Sequence, residues 1–206
     1  MQTFLPYENI SQSAKCLDGS RLRKQQTEAE QILKCLNNPE AKGWRNHPAV
    51  LQWKGYERAL ELYIYVISEE CKLRGFKGRA ITFPPLLVFP PWVGREEIHA
   101  SHRSRLMFKG RVDAVCSVLK RDLKIRSIND WLLSCNYPSK NMTKMEDVIR
   151  LESIVKDRNL EISPNYYKQF NWQEPDNIPY VWPVQKETTG IIPTASPVPN
   201  KFSNPS

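Results

Sequence analysis

Apolar residues recur at helical spacing over two long stretches in the first third of the chain. Between Leu17 and Leu36 they fall at Leu22, Ala29, Ile32, Leu33 and Leu36, mostly three and four positions apart. Asp18 or Ser20 supplies an N-cap, and Asn37, Asn38 and Pro39 stop the helix. From Ala49 to Arg74 the same spacing links Trp53, Tyr56, Leu60, Tyr63, Ile64, Ile67 and Cys71. This predicts the longest helix, with its aromatic stripe in the core. Gly75 reads as its C-terminal cap, and Gly55 as an interior glycine that permits a close helix crossing. Gly94 to Lys109 predicts a third helix, with Glu96 and Glu97 suited to its first turn. From Gly110 onward the character changes. Thr143 to Glu146 form a capping-box signature, opening a helix with Met145, Val148, Ile149, Leu151, Ile154 and Val155.

The intervening segments complete a mainly α expectation. Phe4, Leu5 and Tyr7 anchor the first fourteen residues. Phe76 to Trp92, with four prolines, is an irregular connection packed across the helices. Residues 110–163 read as a helical insertion, and Leu160 to Val184 as an ordered non-helical segment dense in Tyr, Trp and Pro. The tail, 185–206, is rich in Pro, Ser, Thr and Asn and is expected to be disordered. The organisation is thus a single compact helical domain over 1–184 with a helical insertion and a tail.

Charge narrows the partner. The 206 residues include 30 Lys and Arg against 22 Asp and Glu, a net charge of +8. A basic globular chain suits a polyanion, nucleic acid ahead of a membrane surface, and the interleaved aromatics favour nucleic acid because bases stack on them. The five cysteines, Cys16, Cys35, Cys71, Cys116 and Cys135, are odd in number and scattered, with no C-x-x-C. That argues for reduced thiols in an intracellular protein and against a disulfide scaffold or zinc ribbon. No apolar run approaches a membrane span, and no secretory signal opens the chain.

Candidate chemistry starts on the first helix. Arg21, Lys24, Gln25 and Glu28 share helical spacing, so they form one polar stripe. The stripe reads either as a solvated face with an ordinary Lys–Glu pair or as a carboxylate tuned by cations for acid/base work. Trp44 and Arg45 read either as a base-stacking, phosphate-pairing couple or as a core-capping Trp beside a surface Arg. Of the three histidines, His47, His99 and His102, the last two are spaced for a metal pair, but no full ligand set accompanies them. His99, His102, Arg103 and Arg105 read better as a phosphate-contacting cluster, and no metal or organic cofactor is expected. The chain has no Gly-rich phosphate loop, no G-x-S-x-G elbow and no evidently activated cysteine.

Amine and carboxylate chemistry remains. An unprotonated amine attacks C1′ of a deoxyribose, displaces the base and forms a Schiff base whose C2′ proton is acidic, so β-elimination cuts the strand. The candidate amines are the α-amino group of Met1 and Lys24, the latter needing desolvation or neighbours such as Arg21 and Arg23 to lower its pKa. Glu28 lies one turn from Lys24 and can move protons.

Several stretches carry a resemblance: MQTFLPY, LDGSRLRKQQTEAEQIL, GWRNHPAVLQWKGYE, ISEECKLRGF, PPWVGREEIHASHRSRL, YYKQFNW and PDNIPYVWP. They cover most of 1–109 and about 163–184. In them the chain resembles the pyrimidine-dimer DNA glycosylases with AP-lyase activity, the phage endonuclease V family, and most closely a bacterial branch of it. The resemblance implies a compact all-helical domain that kinks duplex DNA and extrudes a base. It sets Glu28 on the family's catalytic glutamate and His47 on its histidine. The phage enzymes use the α-amine of a Thr exposed by loss of Met1. Here Gln2 follows Met1, so the α-amine belongs to Met1, and Lys24 stands as its rival. Arg21, Arg23, Arg45, His47, His99, His102, Arg103 and Arg105 are then candidate DNA contacts. The implied partner is double-stranded DNA, with no membrane, bound by a monomer. The alternative is a non-catalytic nucleic-acid-binding protein on the same fold.

Overall fold

The computed structural model of the chain describes residues 2–38, 40, 43–85, 88–124, 127, 145–162 and 177–183. Among them are six α-helices, one 3-10 turn and no strand. The helices are α1 (Ile10–Lys15), α2 (Gly19–Asn37), α3 (Pro48–Leu51), α4 (Glu57–Leu73), α5 (Glu96–Leu123) and α6 (Met145–Asp157), with the 3-10 turn at Trp44–Asn46. The expected tail, Cys135 and the segment around Trp131 lie outside the described residues. No helix of the described residues is long and apolar enough to cross a membrane.

Helix α2 follows its sequence signals. Asp18 is the N-cap, its side chain accepting from the N–H groups of Ser20 and Arg21. Leu22, Ala29 and Ile32 are fully buried against α4, whose Leu60, Tyr63, Ile64 and Ile67 face them. Burying each such large side chain contributes roughly 1.5–3 kcal/mol. Arg74, just past α4, donates to the carbonyls of Lys15 (2.8 Å) and Leu17, closing the end of α1.

Two helix boundaries differ from the pattern. The helix expected over Ala49–Arg74 is broken: α3 ends at Leu51, and α4 begins at Glu57. Gly55 sits at φ +82°, a left-handed conformation that ends helical propagation, so it is a breaker and not a crossing point. Periodicity missed the break because Trp53 is buried in the turn as it would be in a helix. Conversely, the third helix does not end at Lys109. It runs through a buried Gly110 to Leu123, where packing outweighs the helix cost of glycine.

The far half of α5 meets α6 in a second apolar cluster: Phe108, Val115, Val118 and Leu119 against Val148, Leu151 and Val155. The main core lies at the other end of α5, under Ile98 and Leu106, and encloses the first residues of the chain: Thr3 is fully buried, and Phe4 and Leu5 are nearly so.

Candidate active site

An extended segment through the core leaves buried backbone groups that need partners. Here side chains provide them. Gln25, on the inner side of α2, accepts from Phe4 N–H at 2.7 Å and donates to Gln2 O at 3.0 Å. The Tyr63 hydroxyl lies 2.9 Å from Phe4 O and 2.8 Å from Gln25 Oε1, one proton serving two acceptors. Leu5 is held twice by α5: its N–H donates to His102 Nδ1 (2.9 Å), and its carbonyl lies 2.7 Å from His99 Nδ1. Arg103 donates to Pro6 O at 2.8 Å and pairs with Glu96. Thr3 Oγ1 accepts from Gln52 (2.8 Å) and from the Trp53 indole (3.0 Å), while Tyr180 donates to Thr3 O at 3.3 Å.

This reassigns part of the expected phosphate cluster. His99, His102 and Arg103 are buried, and their polar atoms hold residues 5 and 6, so they turn no phosphate-binding surface outward. Burial, with His99 as neighbour, pushes the His102 imidazole down to about 3, keeping it neutral. Its ring stacks on Tyr180 at 4.7 Å and 4°. Gln25 likewise belongs to the anchoring of the segment.

The segment delivers Gln2 to one end of a cleft of about 690 Å³. One wall is the outer stripe of α2: Asp18, Ser20, Arg21, Lys24 and Glu28. The other is α5: Arg105, Phe108, Lys109, Val112 and Asp113, with Phe4 and Phe108 supplying apolar floor. Glu28 Oε2 accepts the Gln2 N–H at 3.0 Å, and its Oε1 lies 3.7 Å from Lys24 Nζ. Glu28 is mostly covered, whereas Lys24 is 71% exposed. Arg21 crosses the cleft, pairing with Asp18 and with Asp113 at 2.6 Å. Burial raises Asp18, but the N–H and guanidinium of Arg21 outweigh it and hold the carboxyl below its ordinary value.

Sequence reasoning missed Lys109. Desolvation comes first, then Arg105, Arg21 and Lys24, in lowering its pKa; Glu28 acts the other way. The available signal was Arg105 to Lys109 at i,i+4 on the expected third helix, which the helix end assigned at Lys109 obscured. Arg105 itself lies over the Phe108 ring at 4.7 Å.

Other candidates lie elsewhere. Arg23 donates to Gly19 O and sits over the Phe76 ring, outside the cleft lining. His47 caps α3 by accepting from Ala49 N–H at 3.1 Å, and its pKa is lowered by desolvation. It bridges the half-exposed Trp44 (4.9 Å) and Trp182 (5.6 Å), and Trp182 in turn meets Tyr180 (4.7 Å). An aromatic path thus leads from buried His102 to the surface at Trp44, with exposed Arg45 beside it. Met1 lies outside the described residues.

A basic, all-helical protein whose extended first residues meet a shielded carboxylate in a cation-walled cleft fits an enzyme acting on a polyanion. Residues 1–82 match the sequence model described as pyrimidine dimer DNA glycosylase. Neither a curated protein nor a solved structure matches the chain significantly.

Proposed function

We propose that the protein is a DNA glycosylase with associated AP-lyase activity, excising a damaged pyrimidine through a Schiff-base intermediate. The observation that carries this reading is the 3.0 Å bond from Gln2 N–H to Glu28. That bond sets Gln2, the first described residue, against the carboxylate, and the reading takes the α-amine of Met1 as the nucleophile. The Met1 amine then attacks C1′, and the base leaves with the C1′–N bonding pair; the C1′–O4′ bond next opens, O4′ keeping its pair and taking a proton, as the nitrogen lone pair forms the C1′=N bond of the Schiff base. Glu28 stabilises the developing positive charge at C1′ and assists proton movement around the departing base. Loss of the C2′ proton and departure of the 3′ phosphate oxygen complete the cut. Lys24, 3.7 Å from Glu28, is the second candidate amine, but its exposure gives it less of the desolvation that a nucleophilic lysine needs. Arg21 and Arg105 supply positive charge to the strand, and Trp44, Arg45 and His47 a surface for stacking and phosphate pairing.

The test uses duplexes carrying a thymine dimer or an abasic site, incubated with the protein and borohydride, with the trapped peptide mapped. Capture at the N-terminal peptide is expected. Capture at Lys24 would replace the amine and keep the mechanism. Glu28→Gln is expected to lower strand cutting about a hundredfold or more while leaving duplex binding within a few-fold. Binding of both duplexes with no adduct and no cutting would sink the reading in favour of a non-catalytic DNA-binding protein.

A further inference from the structure

We propose that Lys109 is the base that takes the C2′ proton in the strand-cutting step, a role that rests on the imine reading above. The cleft's other titratable groups are already engaged. Asp18 and Asp113 both pair with Arg21. Glu28 holds Gln2 N–H on one oxygen and faces Lys24 with the other. Arg105 keeps its proton at any working pH, because a guanidinium is too weak an acid to cycle. Lys109 has no ion-pair partner among the described residues, is half-buried, and stands on α5 across the cleft from the α2 wall that carries Glu28. Desolvation and the cations Arg105, Arg21 and Lys24 favour its neutral form, against the opposing pull of Glu28.

An imine formed by the attacking amine of that reading has C2′ one bond beyond C1′, inside the cleft that Glu28 and Lys109 line. Lys109 approaches from the opposite wall. Its nitrogen lone pair takes the C2′ proton, and the C–H electrons pass into the iminium to give an enamine. Those electrons return to form the C2′–C3′ double bond as the C3′–O bond breaks, and the phosphate leaves with that bond's pair. Lys109 becomes an ammonium in a cleft that holds Glu28 and Arg105, suited to a phosphate that has just gained charge. Nothing is oxidised or reduced, and the proton returns to water when the product leaves.

The experiment compares the wild type with Lys109→Arg and Lys109→Met on an abasic duplex under single-turnover conditions. Imine is read by borohydride capture and elimination by strand cutting. Lys109→Arg retains a cation that cannot accept a proton, and Lys109→Met retains the aliphatic stem alone. Both are expected to capture imine within about threefold of wild type and to cut at least tenfold more slowly, so captured imine accumulates. In the wild type, cutting per captured imine should rise with pH as Lys109 loses its proton, and in Lys109→Arg it should be flat. Wild-type cutting by Lys109→Arg would overturn the proposal and leave Lys109 a phosphate contact. A parallel fall of capture and cutting in both variants would also overturn it. A mapped adduct at Lys109 would make it the nucleophile instead. No imine in the wild type would remove the parent reading, an outcome distinct from the others.

Discussion

The core around the N-terminal segment and the core between α5 and α6 share one helix and differ in nearly everything else. The first buries Thr3, Gln25, Gln52, His99, His102 and Arg103 among its apolar side chains, each bonded to the extended segment or its neighbours. The second is Val, Leu and Phe, with the Arg111–Glu152 ion pair at its margin. Apolar contact tolerates small shifts, because burial is not directional. A buried hydrogen bond does not, because a displaced donor loses its partner at a cost of about 1–3 kcal/mol. The polar core therefore fixes the register of residues 2–6 and, through it, the meeting of Gln2 with Glu28. The apolar core holds the far half of α5 against α6.

Acid should expose this contrast most strongly. His102 has a folded-state pKa of about 3, below the ordinary 6.5. The unfolded chain therefore binds more protons between those values, and stability falls as pH drops through that window. It is fully present above pH 6.5, with a total loss of up to roughly 5 kcal/mol. Denaturant titrations at stepped pH should show this slope. His102→Asn, which can still accept from Leu5 N–H but does not titrate, should flatten it. A wild-type profile flat from pH 7 to 4 would break the comparison.

Removing a neutral partner comes next. Gln25→Ala strands Phe4 N–H and Gln2 O and is expected to cost about 3 kcal/mol in urea unfolding, with loss of strand cutting. In the second core, Leu151→Ala removes a fully buried side chain and should cost about 2 kcal/mol. Hydrogen exchange should quicken in 111–123 and 145–157 and stay unchanged in α2. Equal loosening of α2 would mean that the two cores are one cooperative unit. The smallest effect belongs to Gly55→Ala, at about 1 kcal/mol, since alanine disfavours φ +82°. Thermal unfolding would register it with activity retained.

The helical class and the capped α2 were legible because three- and four-residue spacing and an Asp N-cap are local signals. Glu28 and Lys24 were legible as neighbours for the same reason. The break at Gly55 was not, since a turn that buries Trp53 mimics helical burial. The continuation of α5 through Gly110 was hidden by a residue whose propensity argues against it. The burial of His99, His102 and Arg103 was not legible, because polar residues along one helix look alike until it is known what covers them. Their partners lie 94 to 97 positions away, a separation no periodicity reports.

Those separations also order events during synthesis. Residues 2–6 are the first of the described chain to leave the ribosome, yet Leu5 closes its bonds only with α5, and Thr3 meets the Tyr180 hydroxyl 177 positions later. That segment is completed only by residues made long after it. Until α5 emerges, Phe4 and Leu5 lack the helix that helps to cover them, a natural handle for a chaperone and a point where crowding at high expression favours aggregation. Assembly of the candidate cleft then waits for α5, so a chain halted before that helix carries Glu28 without the opposite wall.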